Sequence, residues 1–487
     1  MSCGPNVNRM RPYGHILIAL CILLAFSPQT HAQGEEAAVY TVTINYVVQN
    51  VGQHVALDSR ATIVLFDNLS GWADQEVIDE EITVDGNPMS PQISSTEDNR
   101  WAVISLGDLD PGESVTISVV QVLKVNSVEL SVDPEMVGST FPSEVIAYTT
   151  PVEGLYESDS SEIQNLAQEL TGTLTNPYYK ARRIFEWLLE NMEYEPQTTE
   201  HSALWGYHAR KGDCTEFSNL FVALARAAGI PAKSVSGYGY LALYTTEAGA
   251  DIQTLGHAWA IFYLPNYGWV PADAVWPQHV GSFGEVDYAH IAGATTGGDD
   301  VVNEHGQIVW HSPRYIEKRW NYYVGEPTEL GGQVSGSIIP QVLVSIDLQT
   351  SPVIENDTLT LTATIKNLGQ NSVSNLTAGL ETDTSYFEIM TPPRQKSFLA
   401  SGDEWQTSFE VRLKENAYSS RHVFTSSVSY ESSYSGGSGT FLAKGKVSVQ
   451  TPAKPAEPSG IYDFTSLILF VVLVFALAAV GVALARR

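Results

Sequence analysis

The chain of 487 residues carries 26 Lys and Arg against 55 Asp and Glu, a formal net charge of −29. That balance excludes a nucleic-acid binder, whose phosphate partner needs a basic face, and suits an ectodomain in a salty or cation-rich setting. At roughly 100–200 residues per domain, the length predicts about three domains.

At the N-terminus Arg9, Arg11 and His15 precede an apolar run from Ile16 to Phe26, and the small-residue stretch Thr30-His31-Ala32 follows. This is the pattern of a secretory signal over residues 1–32, with Met10 an alternative start; the run is short for a membrane span. Residues 33–150 alternate apolar and polar positions and are rich in β-branched side chains. Strands are expected at Val39–Val48 and Val115–Val125, with turns at Asn50-Val51-Gly52 and Asp110-Pro111-Gly112. The pattern is that of an all-β sandwich.

An acidic, Ser-rich joint from Pro151 to Ser161 opens a core predicted to span 151–330. Asp159-Ser160-Ser161-Glu162 has the spacing of a capping box, and Ile163, Leu166, Ala167 and Leu170 give the helix after it one apolar face. Asn176-Pro177 starts the next helix, with proline at its first position.

Lys211-Gly212-Asp213-Cys214-Thr215-Glu216-Phe217 then reads as a turn passing into a helix. Gly212 is expected to permit a sharp backbone turn. Phe217, Leu220, Phe221, Leu224 and Ala228 share a helical face, and Gly229 and Pro231 end it. Cys214 thus lies in the first turn, near unpaired N–H groups and the positive end of the helix dipole. That setting favours the nucleophilic thiolate and supplies donors for an oxyanion. Of three cysteines, Cys3 and Cys21 fall within the predicted signal, so Cys214 stands alone in the mature chain. A lone thiol of this kind is either a small buried hydrophobe or a nucleophile. Downstream, Gly256–Tyr263 is a strand, Pro265-Asn266-Tyr267-Gly268 a turn, and Trp269–Asp273 a returning strand. His257 and Asp273 therefore sit on two arms of one hairpin, with a bulge a means of bringing them level. Cysteine, histidine and carboxylate form a nucleophile, base and orienter set for thiol acyl transfer.

Lys211-Gly212-Asp213-Cys214, Ala227-Ala228-Gly229-Ile230-Pro231-Ala232, Ser236-Gly237-Tyr238, His257-Ala258-Trp259 and Tyr267-Gly268-Trp269-Val270-Pro271-Ala272-Asp273 together resemble the core of the microbial transglutaminase-like superfamily. The resemblance implies a papain-like fold with Cys214 as nucleophile, His257 as general base and acid, and Asp273 as its orienter. Ala274, where the family commonly has proline, and Ile261, where many members carry glutamate, depart from its pattern. Among rival residues, His208 is the alternative base. His279, His290 and His311 read as ordinary surface or packed residues, and Trp205 and Tyr207 as core packing, with cleft lining the other option. Neither His-Glu-x-x-His nor Cys-x-x-Cys occurs, so no metal or other cofactor is expected.

Residues 335–450 return to β alternation, and Leu359–Gln370 echoes Val42–Gln53 through strand and Asn-x-Gly turn. Such segments resemble prokaryotic surface Ig-like domains of the cell-adhesion-related type, although turn chemistry alone could also produce the echo. A Pro-rich linker at 451–463 precedes an uncharged run at 464–485, long enough to span a bilayer, with Arg486-Arg487 at the cytoplasmic end. The expected architecture is a multidomain chain: a central α+β papain- or transglutaminase-like core, two flanking all-β Ig-like sandwiches and one C-terminal transmembrane helix. The expected function is a cell-surface cysteine enzyme acting on amide bonds of protein or peptide substrates through a thioester. Hydrolysis is favoured over amine transfer, and the alternative is a non-enzymatic adhesion or scaffold protein keeping the fold.

Overall fold

The alternation of the first β-segment becomes strand Ala37–Asn50, whose inward positions Ala38, Tyr40, Val42, Ile44, Tyr46 and Val48 are all buried. This strand is the spine of a six-stranded sheet. It pairs antiparallel with Ser114–Asn126 on one side and with Leu330–Val342 on the other. A four-stranded sheet of Arg319–Val324, Ala56–Leu65, Arg100–Leu109 and Gln92–Ser95 closes over it, so that Ala61, Ile63 and Ile104 share a core with Tyr40, Ile44 and Ile117. The computed structural model describes residues 34–453, save 96–98, 241–248, 277–281, 297–299, 303–307, 312–318 and 352–356.

This pairing draws the domain boundary differently from composition. The boundary between the predicted core, 151–330, and the second β-domain, 335–450, falls in a Gly-rich stretch, 331–336, that is a strand paired with the first one along its length. Its glycines serve close approach rather than flexibility: a Cβ at Gly336 would fall 2.1 Å from the Thr43 carbonyl oxygen. Residues 319–342 thus complete the first β-domain from beyond the core in sequence. The joint at Pro151–Ser161 is packed as well. Tyr156 is fully buried, its hydroxyl 2.6 Å from Ser234 Oγ and donating to the Thr296 carbonyl at 3.1 Å.

Four helices, α1 (Ser161–Thr171), α2 (Pro177–Asn191), α3 (Ala203–Ala209) and α4 (Cys214–Ala227), form the helical part of the core. The N-cap of α1 is Ser160, one residue after the start that the capping-box spacing suggests, and Asn176 caps α2 with Pro177 first in the helix. A five-stranded antiparallel sheet lies beside them in the order Ser282–Phe283, Gly268–Asp273, Gly256–Leu264, Ala232–Gly239, His290–Thr296. Residues of a strand alternate between faces, and here each face has its own partner. Ala260, Phe262 and Leu264 pack with Leu220, Phe221 and Leu224 of α4. Trp259 and Ile261 cluster with Trp72 and Ala73 of the first β-domain, while Tyr238, Ile291 and Ala294 join that domain's own core. The central sheet is therefore covered by helices on one face and by β-structure on the other.

The second β-domain is built from two four-stranded antiparallel sheets around one core. One contains Val344–Thr350, Thr358–Asn367, Glu404–Leu413 and Phe387–Ile389; the other contains Arg394–Leu399, Val373–Glu381, Arg421–Tyr434 and Gly437–Gln450. The sequence echo has a matching structure. Asn50 and Asn367 are both wholly buried at strand ends. Asn50 Oδ1 accepts from Gly52 N, and its Nδ2 donates to the carbonyls of His54 and Leu109. Asn367 Oδ1 accepts from Gly369 N, and its Nδ2 donates to the carbonyls of Asn371 and Leu399. Each asparagine also exchanges backbone bonds with a facing turn, Gly112–Glu113 in one case and Gly402–Asp403 in the other. Two such side-chain clips at equivalent places go beyond a shared turn type.

The predicted signal at 1–32 and the predicted span at 464–485 lie outside the described residues, as does most of the linker. Among the described residues, no helix is long and apolar enough to cross a membrane.

Candidate active site

The turn that carries Cys214 is fixed by a reciprocal cap. The Asp213 side chain accepts from Thr215 N at 3.0 Å and from the Glu216 amide, while Glu216 accepts from Asp213 N at 2.9 Å and His201 N at 2.8 Å. Glu216 is wholly buried; burial first, then the Asp213 carboxylate, pushes its carboxyl group up from the ordinary range. Gly212 plays a different part from the sharp turn expected of it. It is extended and paired with Tyr194, and a Cβ there would stand 2.4 Å from Glu216 Cβ, so glycine makes room for the cap. Cys214 is left at the first helical position, partly exposed and a free thiol. The Thr215 and Glu216 amides are consumed by the Asp213 side chain and that of Phe217 by the Asp213 carbonyl. The Cys214 N–H is the first-turn amide outside the cap.

His257 is the second residue of a strand that packs on α4, so His257 and Cys214 come from the ends of two contacting elements. Its Nε2 lies 2.7 Å from Asp273 Oδ2. With Nε2 committed, Nδ1 is the nitrogen available to the thiol. No bulge is needed to bring the pair level: the hairpin register runs regularly from Leu264–Gly268 to Ala260–Ala272, and His257 reaches Asp273 diagonally on one sheet face. Burial opposes a charge on His257, but the Asp273 carboxylate and then Cys214 outweigh it and raise the imidazole to about 9. Asp273 is buried and would be pushed up by that alone; His257 and then His290 instead hold it well below the usual carboxylate range.

The Asp273 carboxylate has four donors. Oδ1 accepts from Val275 N at 2.8 Å and Trp276 N at 3.2 Å, and Oδ2 accepts from His257 and from His290 Nε2 at 3.2 Å. His290 Nδ1 lies 2.9 Å from Asp287 Oδ1, and Trp276 Nε1 donates to Asp287 Oδ2 at 2.9 Å. Behind the ring, Gly239 is held to its size: a Cβ would sit 2.8 Å from Trp276 Cζ3 and 3.3 Å from His257 Cβ.

Residues 164–274 match the profile described as the transglutaminase-like superfamily. This stretch of the chain is a transglutaminase-like domain. Among curated proteins, an uncharacterized protein of Haemophilus influenzae is 26% identical over 220 residues, covering 40% of this chain and 59% of that protein. Uncharacterized protein YebA of Bacillus subtilis is 27% identical over 129 residues, covering 24% of this chain and 18% of that protein. The chain thus spans less than two thirds of the length of either. Among solved structures, a cysteine-protease candidate from Cytophaga hutchinsonii aligns with TM-score 0.40 and 19% identity, covering 63% of this chain and 93% of that one. The periplasmic domain of TgpA from Pseudomonas aeruginosa aligns with TM-score 0.24 and 18% identity, covering 50% and 91%. Neither structural likeness bears on the chemistry of the site.

Within the transglutaminase-like domain the geometry brings Cys214, His257 and Asp273 together and leaves the rivals apart. His208 is exposed on α3 with its ring against Tyr207. Trp205 stacks on His201 at 3.9 Å, and Tyr207 lies under the Arg210 guanidinium at 4.6 Å. His279 and the His311 side chain lie outside the described residues. His290, which reads from sequence as an ordinary residue, instead belongs to the site together with Asp287 and Trp276. Its one sequence signal is the Asp-x-x-His spacing from Asp287. Donor atoms of His257, Asp273 and His290 lie within 4.8 Å of one another. Two direct N–O hydrogen bonds, from His257 and from His290 to Asp273, account for that closeness.

The two imidazoles also link stability to pH. His257 and His290 are both raised to about 9, against about 6.5 unfolded. A base raised by folding stabilises fully below its unfolded pKa, and the gain disappears as pH climbs through the folded value. Asp273 and Asp287 are depressed and act in the opposite sense, losing their contribution as pH falls below the carboxylate range. The melting temperature is expected to be highest between about pH 5 and 6.5 and to fall steadily toward pH 10. Thermal melts across that range check it; a Tm flat from neutrality to pH 10 would show that neither histidine is held charged.

Proposed function

We propose that the chain is a cysteine enzyme that cleaves amide bonds of protein or peptide substrates through a thioester on Cys214. The reading rests on one observation above the rest. Asp273 occupies His257 Nε2, which leaves Nδ1 for the Cys214 thiol, a hydrogen-bond partner of that ring at a helix N-terminus. The Cys214 sulfur, its proton held on His257 Nδ1, attacks the carbonyl carbon, and the Cys214 N–H faces the oxygen where negative charge develops. As the C–N bond breaks, His257 gives its proton to the departing amine and the thioester remains. Water then attacks the thioester, His257 Nδ1 takes its proton, and acid and free thiol are released. An amine in place of water gives transamidation by the same steps. Hydrolysis is the favoured outcome because water is the acceptor always present.

The test is to trap the intermediate. With an activated acyl ester, mass spectrometry is expected to find the acyl group on the Cys214 peptide, and its decay to yield free acid even with a primary amine added. An acyl-amine product rising in proportion to the amine would make the enzyme a transferase. No acyl adduct at Cys214 would remove the enzyme reading and leave an adhesion or scaffold role.

The proposed setting is the cell surface, with Ig-like β-domains, a cleaved signal at 1–32 and one span at 464–485 holding the bulk of the chain outside. Protease shaving of intact cells is expected to release a large fragment. Protection of that fragment until the cells are lysed would rule this placement out.

A further inference from the structure

Both ring nitrogens of His290 face carboxylate oxygens, Nδ1 toward Asp287 Oδ1 at 2.9 Å and Nε2 toward Asp273 Oδ2 at 3.2 Å. Ionised carboxylates only accept, and a neutral imidazole has one N–H. A neutral His290 would therefore press a nitrogen lone pair against a carboxylate oxygen inside a site where its side chain is 1% exposed. With Asp273 and Asp287 both held ionised by their donors, the arrangement calls for a doubly protonated ring. Trp276 and Trp259 pack against that ring, with centroids 4.6 and 5.1 Å away, and fix its plane.

We infer that His290, held as an imidazolium by Asp287, is a positioning residue that shares the Asp273 carboxylate with His257 and thereby loosens the hold of Asp273 on the His257 proton. This extends the reading of Cys214 and His257 as the reacting pair and rests on it. Asp273 alone would stabilise the His257 imidazolium so strongly that the proton would be slow to leave for the departing amine. A second cation on the same oxygen, with ring centroids 5.4 Å from His257, works against that stabilisation. It lowers the proton affinity of His257 without weakening the hydrogen bond that orients it. Asp287 keeps the second cation in place and is itself steadied by Trp276 Nε1 and Ala289 N. Among the described residues, the charged and titratable groups facing the two rings are Cys214, Asp273, Asp287 and the rings themselves, with Tyr288 and Tyr40 beyond Asp287 and Glu36 beyond Tyr288. The same balance of burial against two carboxylates raises His290 to about 9.

The test uses the full chain and reads the rate of iodoacetamide alkylation at the Cys214 peptide from about pH 4 to 11, a span bracketing thiol and imidazole. In the unmodified protein the profile has an acid limb where the thiolate–imidazolium pair forms and a basic limb where His257 loses its proton. His290→Gln keeps an N–H donor toward Asp273 but removes the charge. It is expected to shift the basic limb upward by about one pH unit, the scale of one nearby charge, and to slow release of the amine. Asp287→Asn is expected to move it the same way by less. A purely structural role would lower Tm and leave the limbs in place. Limbs of either folded variant that superimpose on the unmodified profile, or move down, overturn the inference. If neither variant folds, ¹⁵N-histidine NMR of the unmodified chain decides: both His290 nitrogens protonated at neutral pH supports it, and a neutral tautomer overturns it. Alkylation of the unmodified protein along a free-thiol curve would instead sink the acyl-transfer reading, and the NMR result would stand apart from that failure.

Discussion

Cys214→Ala is expected to abolish acyl-enzyme formation outright, and His257→Ala to lower turnover on the order of 10⁶-fold, as when one member of a nucleophile–base pair is lost. The pair acts as a unit. Without the sulfur there is no atom to acylate, and without the imidazole the thiol has no proton acceptor and the leaving amine no donor. Packing does not obscure the result for Cys214, a partly exposed side chain that loses one sulfur atom. The helix cap holding that turn is made by Asp213 and Glu216 and stays intact. Turnover of the activated ester, thioester trapping and Tm measured on the same preparations check this. Measurable turnover by a folded Cys214→Ala protein would show that the chemistry belongs to another group.

Asp273→Asn is expected to cost about 10⁴-fold, less than the loss of His257 but still severe, the scale for an orienting aspartate changed to asparagine in a triad. From sequence a milder loss is natural, because asparagine keeps the shape and a hydrogen-bonding group. The difference lies in the neighbours. Every lone-pair direction in use on Asp273 faces a donor: two backbone amides at Oδ1 and two imidazoles at Oδ2. An asparagine whose NH₂ faces Val275 and Trp276 sets donor against donor. Turned the other way, its NH₂ donates to both imidazoles and forces each to accept at Nε2. His257 would then carry its hydrogen on Nδ1 while neutral and could no longer take the thiol proton. Activity with the ester and a His257 tautomer assignment by NMR test this. A loss of only a few-fold with Nδ1 still unprotonated would refute the double-donor account.

What the sequence conveyed, and what it did not, follows physical lines. Cys214, His257 and Asp273 were legible because each sits in a local pattern: a capped helix start and two arms of a tight hairpin. His290 was not, because its role arises from Gly239 pairing with His290 across the sheet and from a carboxylate shared between strands. No spacing of neighbouring residues encodes that. The Gly-rich stretch at 331–336 misled for a related reason. Composition cannot tell a glycine that bends from one that lets two backbones touch, and only the partner strand shows which is at work. The echo between the two β-domains was readable in a dozen residues, yet the buried asparagine clips that give it substance depend on carbonyls 59 and 32 residues away.

The return of Leu330–Val342 to the first strand has a consequence for how the chain is made. Gln341 Nε2 donates to Thr41 Oγ1 across a separation of 300 residues. At roughly 5–20 residues per second, synthesis from one to the other takes about 15–60 s. Once Ser114–Asn126 has been made, strand Ala37–Asn50 can pair with it but keeps its other edge open for the rest of that interval, a row of unmatched amides and carbonyls that invites foreign strands. Closure of the earliest β-domain is thus among the last events of assembly, after the helices and central sheet have emerged. Chains cut short anywhere between Thr296 and Leu330 would carry the complete Cys214–His257–Asp273 set on a scaffold with an unsealed edge, so truncation would be felt as aggregation before it was felt as lost chemistry.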